Sequence, residues 1–289
     1  MNSKNIEKKN NLIGSIMLTV CAIIWGSSFV AQTTGAEYVG PFTFISLRSL
    51  LGSISLLPVI AIMGTAKKKK GEVINENQKG KKFFVLGGIA CGVCLTFASV
   101  LQQLGIDKGT SPGKAGFITA LYILLVPIFS VVLKKKIRPL IWLCVALSIG
   151  GLYLLCVTEN TVEPSDFYVL LCAVCYAVHI LIIDYVSPHV DGVKLSCMQF
   201  FVCGVLAAIP MLLTEELSFE LLKGAALSIA YSGIMSSGVA YTLQILGQQR
   251  MNQPTVASML MSLESVFAVL SGMIILSQVP SLRETAGCV

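Results

Sequence analysis

The chain has 289 residues; 55% are hydrophobic, 12% are charged, and the formal net charge is +6. Soluble domains carry about 25% charged residues, so these proportions exclude an ordinary soluble enzyme, a disordered chain and a nucleic-acid binder. An integral membrane protein remains. The positive charge sits in short clusters between apolar stretches, such as Lys67, Lys68, Lys69 and Lys70, as expected of solvated loops beside anionic lipid heads.

Nine apolar runs follow in chain order, at 12–32, 41–63, 83–105, 114–133, 139–157, 166–186, 194–213, 226–246 and 254–276. Each approaches the ~20 helical residues that cross a hydrocarbon core of about 30 Å. The first is too long for a cleavable signal, and further spans follow it. The N-terminal tail and the connections after even-numbered runs hold sixteen Lys and Arg, against four on the other side. That bias places the N-terminus in the cytoplasm of a multi-pass plasma-membrane protein.

The chain also repeats itself. With a shift of 142, Leu101–Ala115 lies over Leu243–Ala257, matching Gln102 with Gln244, Gly105 with Gly247 and Pro112 with Pro254. A shift of about 151 lays run one on run six, with Trp25 over Tyr176, and run two on run seven. Runs one to five therefore correspond to runs six to ten. Because five is odd, the second copy is expected upside down. The expected architecture is all-α, an inverted-topology repeat of five-helix bundles, divided as residues 1–160 and 161–289. Such repeats form many secondary transporters, with a substrate site near the midplane between the halves. A tenth span is expected after Arg283, where six residues follow; nine complete crossings and a truncated tenth are thus expected.

WGSSFV (Trp25–Val30), PFTFISLR (Pro41–Arg48), the segment Leu101–Leu133 and SLESVFAVLSGMIIL (Ser262–Leu276) together resemble the drug/metabolite transporter superfamily, in particular its ten-span EamA-type members. The resemblance covers nearly the whole chain. It implies transport of small molecules, commonly export of amino acids or other metabolites, with no ATPase domain. Two positions depart from the family pattern. Leu276, Ser277 and Gln278 stand where members often carry Leu-Gly-Glu, and the first span lacks the Glu used by small four-span relatives.

Ionisable residues inside spans are expensive and mark function by default. Glu264 lies mid-run nine on a stripe with Ala257, Met261, Ala268 and Ser271, which suits a protein-facing or cavity-facing carboxyl group. It reads as a proton-coupling or cation-binding site, or as a hydrogen-bonded tie between helices. His179, in run six, reads as a proton relay or a ligand contact, or as a histidine bonded within the bundle. Arg48 reads as a clamp on a substrate carboxylate, or as a partner of Glu37, or as a snorkelling side chain. Trp25, Tyr122 and Tyr176 could shape a pocket or simply fill the core; Tyr122 aligns with Glu264 across the repeat. Pro127 should kink run four, whereas its counterpart Val269 should not kink run nine. Gly88 and Gly92 suggest close helix packing.

Other chemistries find no support. Gly113-Lys114 lacks the remainder of a phosphate loop, and there is no HExxH or G-x-S-x-G. Cys91/Cys94 and Cys172/Cys175 have metal-like spacing but sit in continuous apolar runs, where cysteine usually acts as a small apolar residue. No metal and no cofactor are expected, and the chain is not expected to be an enzyme. The expected function is a secondary transporter of small metabolites by alternating access. Its partners are a small-molecule substrate, the lipid bilayer and protons. Trp25, Arg48, Tyr122, Tyr176 and His179 are expected to contact substrate, and Glu264 to couple protons. The alternative is a non-transporting or decayed truncated paralogue with a structural role.

Overall fold

The structure, a computed structural model, describes residues 3–69, 78–110, 112–134, 137, 139–156, 163–251 and 253–276. The expectation of a truncated tenth span falls on 277–289, outside the described residues. All regular structure within the described residues is helical. Lipid offers no partner for a bare N–H or C=O, so an apolar chain that crosses it satisfies its backbone within each segment.

The helices are α1 (Ser3–Ala36), α2 (Pro41–Lys69), α3 (Gln78–Asp107), α4 (Pro112–Ala120), α5 (Tyr122–Val132), α6 (Pro139–Cys156), α7 (Pro164–Val186), α8 (Gly192–Thr214), α9 (Phe219–Tyr231), α10 (Tyr241–Met251), α11 (Pro254–Met261) and α12 (Glu264–Leu276). A 3₁₀ turn at Ser187–His189 follows α7, and a π-helical segment at Ser232–Ala240 joins α9 to α10. Proline opens five of these helices, where its missing N–H costs nothing. The Asp191 side chain caps α8 by accepting from the Val193 and Lys194 amides. Glu215, beyond the end of α8, accepts from the Phe42 and Thr43 amides at 2.9 and 2.7 Å and so closes the start of α2.

Among the described residues, seven helical stretches are long and apolar enough to cross a membrane. The runs expected at 139–157 and 226–246 are realised as α6 and as the α9–π–α10 rod. Outward-facing side chains are strongly apolar: Leu227 and Ile274 are each 82% exposed, as suits a lipid-facing surface.

The two copies pack antiparallel about a pseudo-twofold axis. Ser46 Oγ in α2 donates to Gly204 O in α8, and Ser53 Oγ donates to Cys197 O, both at 3.0 Å. Residue numbers rise along one helix as they fall along the other. The two bonds are also images of each other under the 151 shift, Ser46 answering to Cys197 and Ser53 to Gly204. Elsewhere Leu18 lies against Gly247, and Val169 lies against Gly105. These pairs too are images, with 151 relating Leu18 to Val169 and 142 relating Gly105 to Gly247. Both offsets read from sequence therefore hold in three dimensions.

Glycines permit the close approaches. A Cβ on Gly92 would come within 2.5 Å of Val202 Cβ and 2.9 Å of Gln199 O, so α3 and α8 touch almost backbone to backbone, as expected of Gly88 and Gly92. Besides Pro127, the fourth and ninth rods share an irregularity. The fourth rod breaks at Leu121, between α4 and α5, and Pro127 lies inside α5. The ninth rod breaks at Ser262–Leu263, the repeat-equivalent place, with no proline there. Around both breaks, i→i−3 amide bonds replace the α pattern: Leu121 N donates to Ile118 O, and Ser265 N to Ser262 O. A locally tightened turn is therefore shared by both copies, with a proline in the helix that follows it in one and none in the other.

Candidate functional site

A small cavity, lined mostly by polar residues, lies at the meeting of the two copies, around the paired breaks in the fourth and ninth rods. Helix α1 contributes Trp25, Ser28, Phe29 and Gln32, a spacing of three, four and seven that puts them on one face. Arg48 comes from α2, Gln102 from α3, and Thr119 and Tyr122 from either side of the Leu121 break. The second copy supplies Tyr176, Ser236, Tyr241 and Glu264. Ser236 lies within the π-helical segment and Tyr241 directly after it. The wider π winding is a local irregularity of a kind that recurs at functional positions.

The lining is knitted by hydrogen bonds. Tyr122 Oη donates to Glu264 Oε1 at 3.1 Å. Gln102 Nε2 donates to Thr119 Oγ1 at 3.0 Å. Tyr241 Oη donates to Tyr176 Oη at 3.3 Å, and the Tyr176 hydroxyl lies 3.4 Å from Ser99 Oγ. Trp25 and Tyr241 stack at a tilt, with ring centroids 4.6 Å apart.

Arg48 is 2% exposed. Its Nη2 makes one long contact of 3.5 Å to Ser99 Oγ, and its guanidinium lies 5.9 Å over the Phe44 ring. Its Nε has no hydrogen-bond partner, and no carboxylate pairs with it among the described residues. Glu37 is exposed and does not reach it. The side chain neither snorkels nor forms a structural ion pair. The Trp25 Nε1 donor is also unpartnered.

Five of the six residues singled out in the sequence, Trp25, Arg48, Tyr122, Tyr176 and Glu264, line this one cavity. His179 does not. It is fully buried, with Nε2 3.0 Å from Gln199 Oε1 and its ring edge-on to Tyr241. Sequence reasoning did not single out Ser28, Gln32, Thr119, Ser236 or Tyr241. The available signals were the helical spacing of Ser28 and Gln32 from Trp25, and the Gln102/Gln244 match across the repeat.

Residues 12–157 and 164–289 each match the model of the EamA-like transporter family. The chain belongs to the EamA-like transporter family. A curated protein of Archaeoglobus fulgidus, named an uncharacterized transporter, is 26% identical over 276 residues, spanning 94% of this chain and 81% of its own length. A protein known from a crystal structure, 19% identical, superposes with a TM-score of 0.73 over 97% of this chain and 93% of its own; that likeness bears on the fold. This EamA-like chain is a multi-pass, all-α membrane transporter of small molecules, built from two copies of the family unit.

Proposed function

We propose that this transporter is a secondary exporter of small carboxylated metabolites such as amino acids, working by alternating access between units 1–160 and 161–289. The observation that carries the reading is Arg48, a guanidinium buried in the inter-repeat cavity and in no ion pair among the described residues, while Glu264, which shares that cavity, bonds Tyr122 instead. A buried charge without a counter-charge is costly, and a planar guanidinium matches a carboxylate fork. The solute's carboxylate supplies the missing charge. Trp25, Tyr122 and Tyr176 form the aromatic wall, suited to the body of an amphipathic solute or to an ammonium group.

Glu264 is the coupling group. It is buried, faces the cavity rather than lipid, and receives one hydrogen bond from Tyr122. Its protonation state changes the charge of the cavity, so proton and solute occupancy are linked. The protein acts in the plasma membrane with its N-terminus in the cytoplasm, as the distribution of lysines and arginines favours.

The test is counterflow in proteoliposomes with a panel of radiolabelled amino acids, matched amines and matched carboxylates. At least one carboxylated solute should move, with movement depending on pH. Glu264→Gln should lose the pH dependence, and Arg48→Gln should lose carboxylate selectivity. A well-folded preparation that moves no solute of the panel would support the non-transporting alternative. Equal movement of amines and carboxylates by wild type would overturn the role of Arg48.

A further inference from the structure

The pseudo-twofold axis assigns every residue of the cavity a counterpart. Ser28 answers to His179, Arg48 to Gln199 and Gln102 to Gln244. The first member of each pair lines the cavity, toward the side opposite the N-terminus. The second members lie toward the N-terminal side, buried and not among the residues that line the cavity. There Ile183, Val186, Leu195 and Ile245 form an apolar cluster, where their counterparts in the other copy are Gln32, Gly35, Phe44 and Gln103. Gln32 and Gln103 thus stand on one side where Ile183 and Ile245 stand on the other, so the N-terminal side is closed by an apolar plug.

Behind that plug lies an unsatisfied polar group of side chains. His179 and Gln199 are fully buried and Gln244 is 1% exposed. His179 and Gln199 bond each other, yet His179 Nδ1, Gln199 Nε2 and Gln244 Oε1 have no partner among the described residues. Buried polar atoms are normally paired, and each exception needs a reason.

We infer that His179, Gln199 and Gln244 are a second half-site, which lines the cavity when it opens toward the N-terminal side and there holds the solute by neutral hydrogen bonds. The inference rests on the alternating-access reading above. In an inverted repeat, the two copies exchange conformations as the protein switches face. The environment now held by Ser28, Arg48 and Gln102 then passes to His179, Gln199 and Gln244. Imidazole and carboxamide replace hydroxyl and guanidinium, so the opposite-facing cavity presents one fixed positive charge fewer at the equivalent position. A carboxylated solute is held less tightly there, because a charge-assisted bond is stronger than a neutral one.

The test is thiol accessibility in the full chain with its ten cysteines replaced. Single cysteines are placed by Ser28→Cys, Tyr122→Cys, His179→Cys and Gln244→Cys. A membrane-impermeant sulfonated methanethiosulfonate is applied to right-side-out and inside-out vesicles. Ser28→Cys, which lines the cavity as it stands, reports that the cysteine-free protein is folded and should label from the side opposite the N-terminus. Tyr122→Cys, on the axis, should label from both sides. His179→Cys and Gln244→Cys should label roughly tenfold faster from the N-terminal side than from the other. Labelling of Tyr122→Cys from both sides, with neither His179→Cys nor Gln244→Cys labelled from the N-terminal side, overturns this inference and leaves alternating access standing. Labelling of Tyr122→Cys from one side only overturns alternating access itself. If His179→Cys does not fold, Gln244→Cys alone decides.

Discussion

Tyr122 Oη donates to Glu264 Oε1 at 3.1 Å, and these two residues are each other's repeat counterparts. A bond between counterparts straddles the pseudo-twofold axis, so it ties the two copies together at their centre of symmetry. Both residues follow directly on the breaks in their rods. Tyr122→Phe removes the donor and keeps the ring. The expected result is a loss of about 1 kcal/mol of stability in detergent, with a shifted pH profile of transport. Thermal unfolding and initial rates across pH check it; an unchanged pH profile would argue against coupling through Glu264.

Arg48→Gln should raise the apparent KM for a carboxylated solute by roughly tenfold to a hundredfold, the loss of about 1.5–3 kcal/mol that a charge-assisted hydrogen bond contributes. Arg48→Lys keeps the charge but not the fork, so an intermediate KM is expected. Titrated counterflow measures both. An Arg48→Gln variant with wild-type KM would return the residue to a packing role.

A polar clasp joins α4 to α7 on the side opposite the N-terminus. Lys114 Nζ lies 2.6 Å from Asp166 Oδ2, while Thr110 Oγ1 donates to Asp166 Oδ1 at 3.1 Å. The Glu163 amide also donates to Asp166 Oδ2, across the start of α7. Asp166→Ala therefore removes an ion pair and a helix-terminal bond together. It should destabilise by about 1–2 kcal/mol more than Lys114→Ala, which removes the ion pair while the hydrogen bonds to Asp166 stay. Thermal unfolding of the two single variants and the double variant separates the contributions. Equal losses from the two single variants would show that the helix-terminal bond contributes nothing.

Gly26 is a contact that admits no side chain. A Cβ there would come within 2.6 Å of Phe267 Cβ and 2.7 Å of both Ala268 N and Glu264 O. Two of those atoms are backbone, so α1 and α12 must separate. Gly26→Ala should cost about 1–3 kcal/mol and reduce transport, since the shift reaches Glu264. Gly150→Ala, where nothing lies within 4 Å, should be tolerated or slightly stabilising. Expression, unfolding temperature and counterflow of the pair check this; equal behaviour would show the α1–α12 contact to be pliable.

Much of this molecule was legible before folding. Low charge content, nine apolar runs and the asymmetry of lysine and arginine follow from the solvent the chain must cross, and they survive in any one-dimensional reading. The 142 and 151 offsets did too, because side chains such as Gln102/Gln244 and Gly105/Gly247 recur at matching depths. Glu264 announced itself by the cost of a carboxyl group among apolar residues. Tertiary structure alone decided which polar groups share a cavity. In a membrane, a helix is apolar toward both its lipid and its neighbours, so periodicity cannot show which face turns inward. Ser28, Gln32 and Tyr241 therefore stayed hidden, and His179 was indistinguishable from Tyr176, one turn away. The breaks at Leu121 and at Ser262–Leu263 were equally silent, since no proline or glycine stands at either. Position along the chain set the depth of each residue; only the rotation of each helix about its own axis, fixed by close glycine contacts, set what it faces.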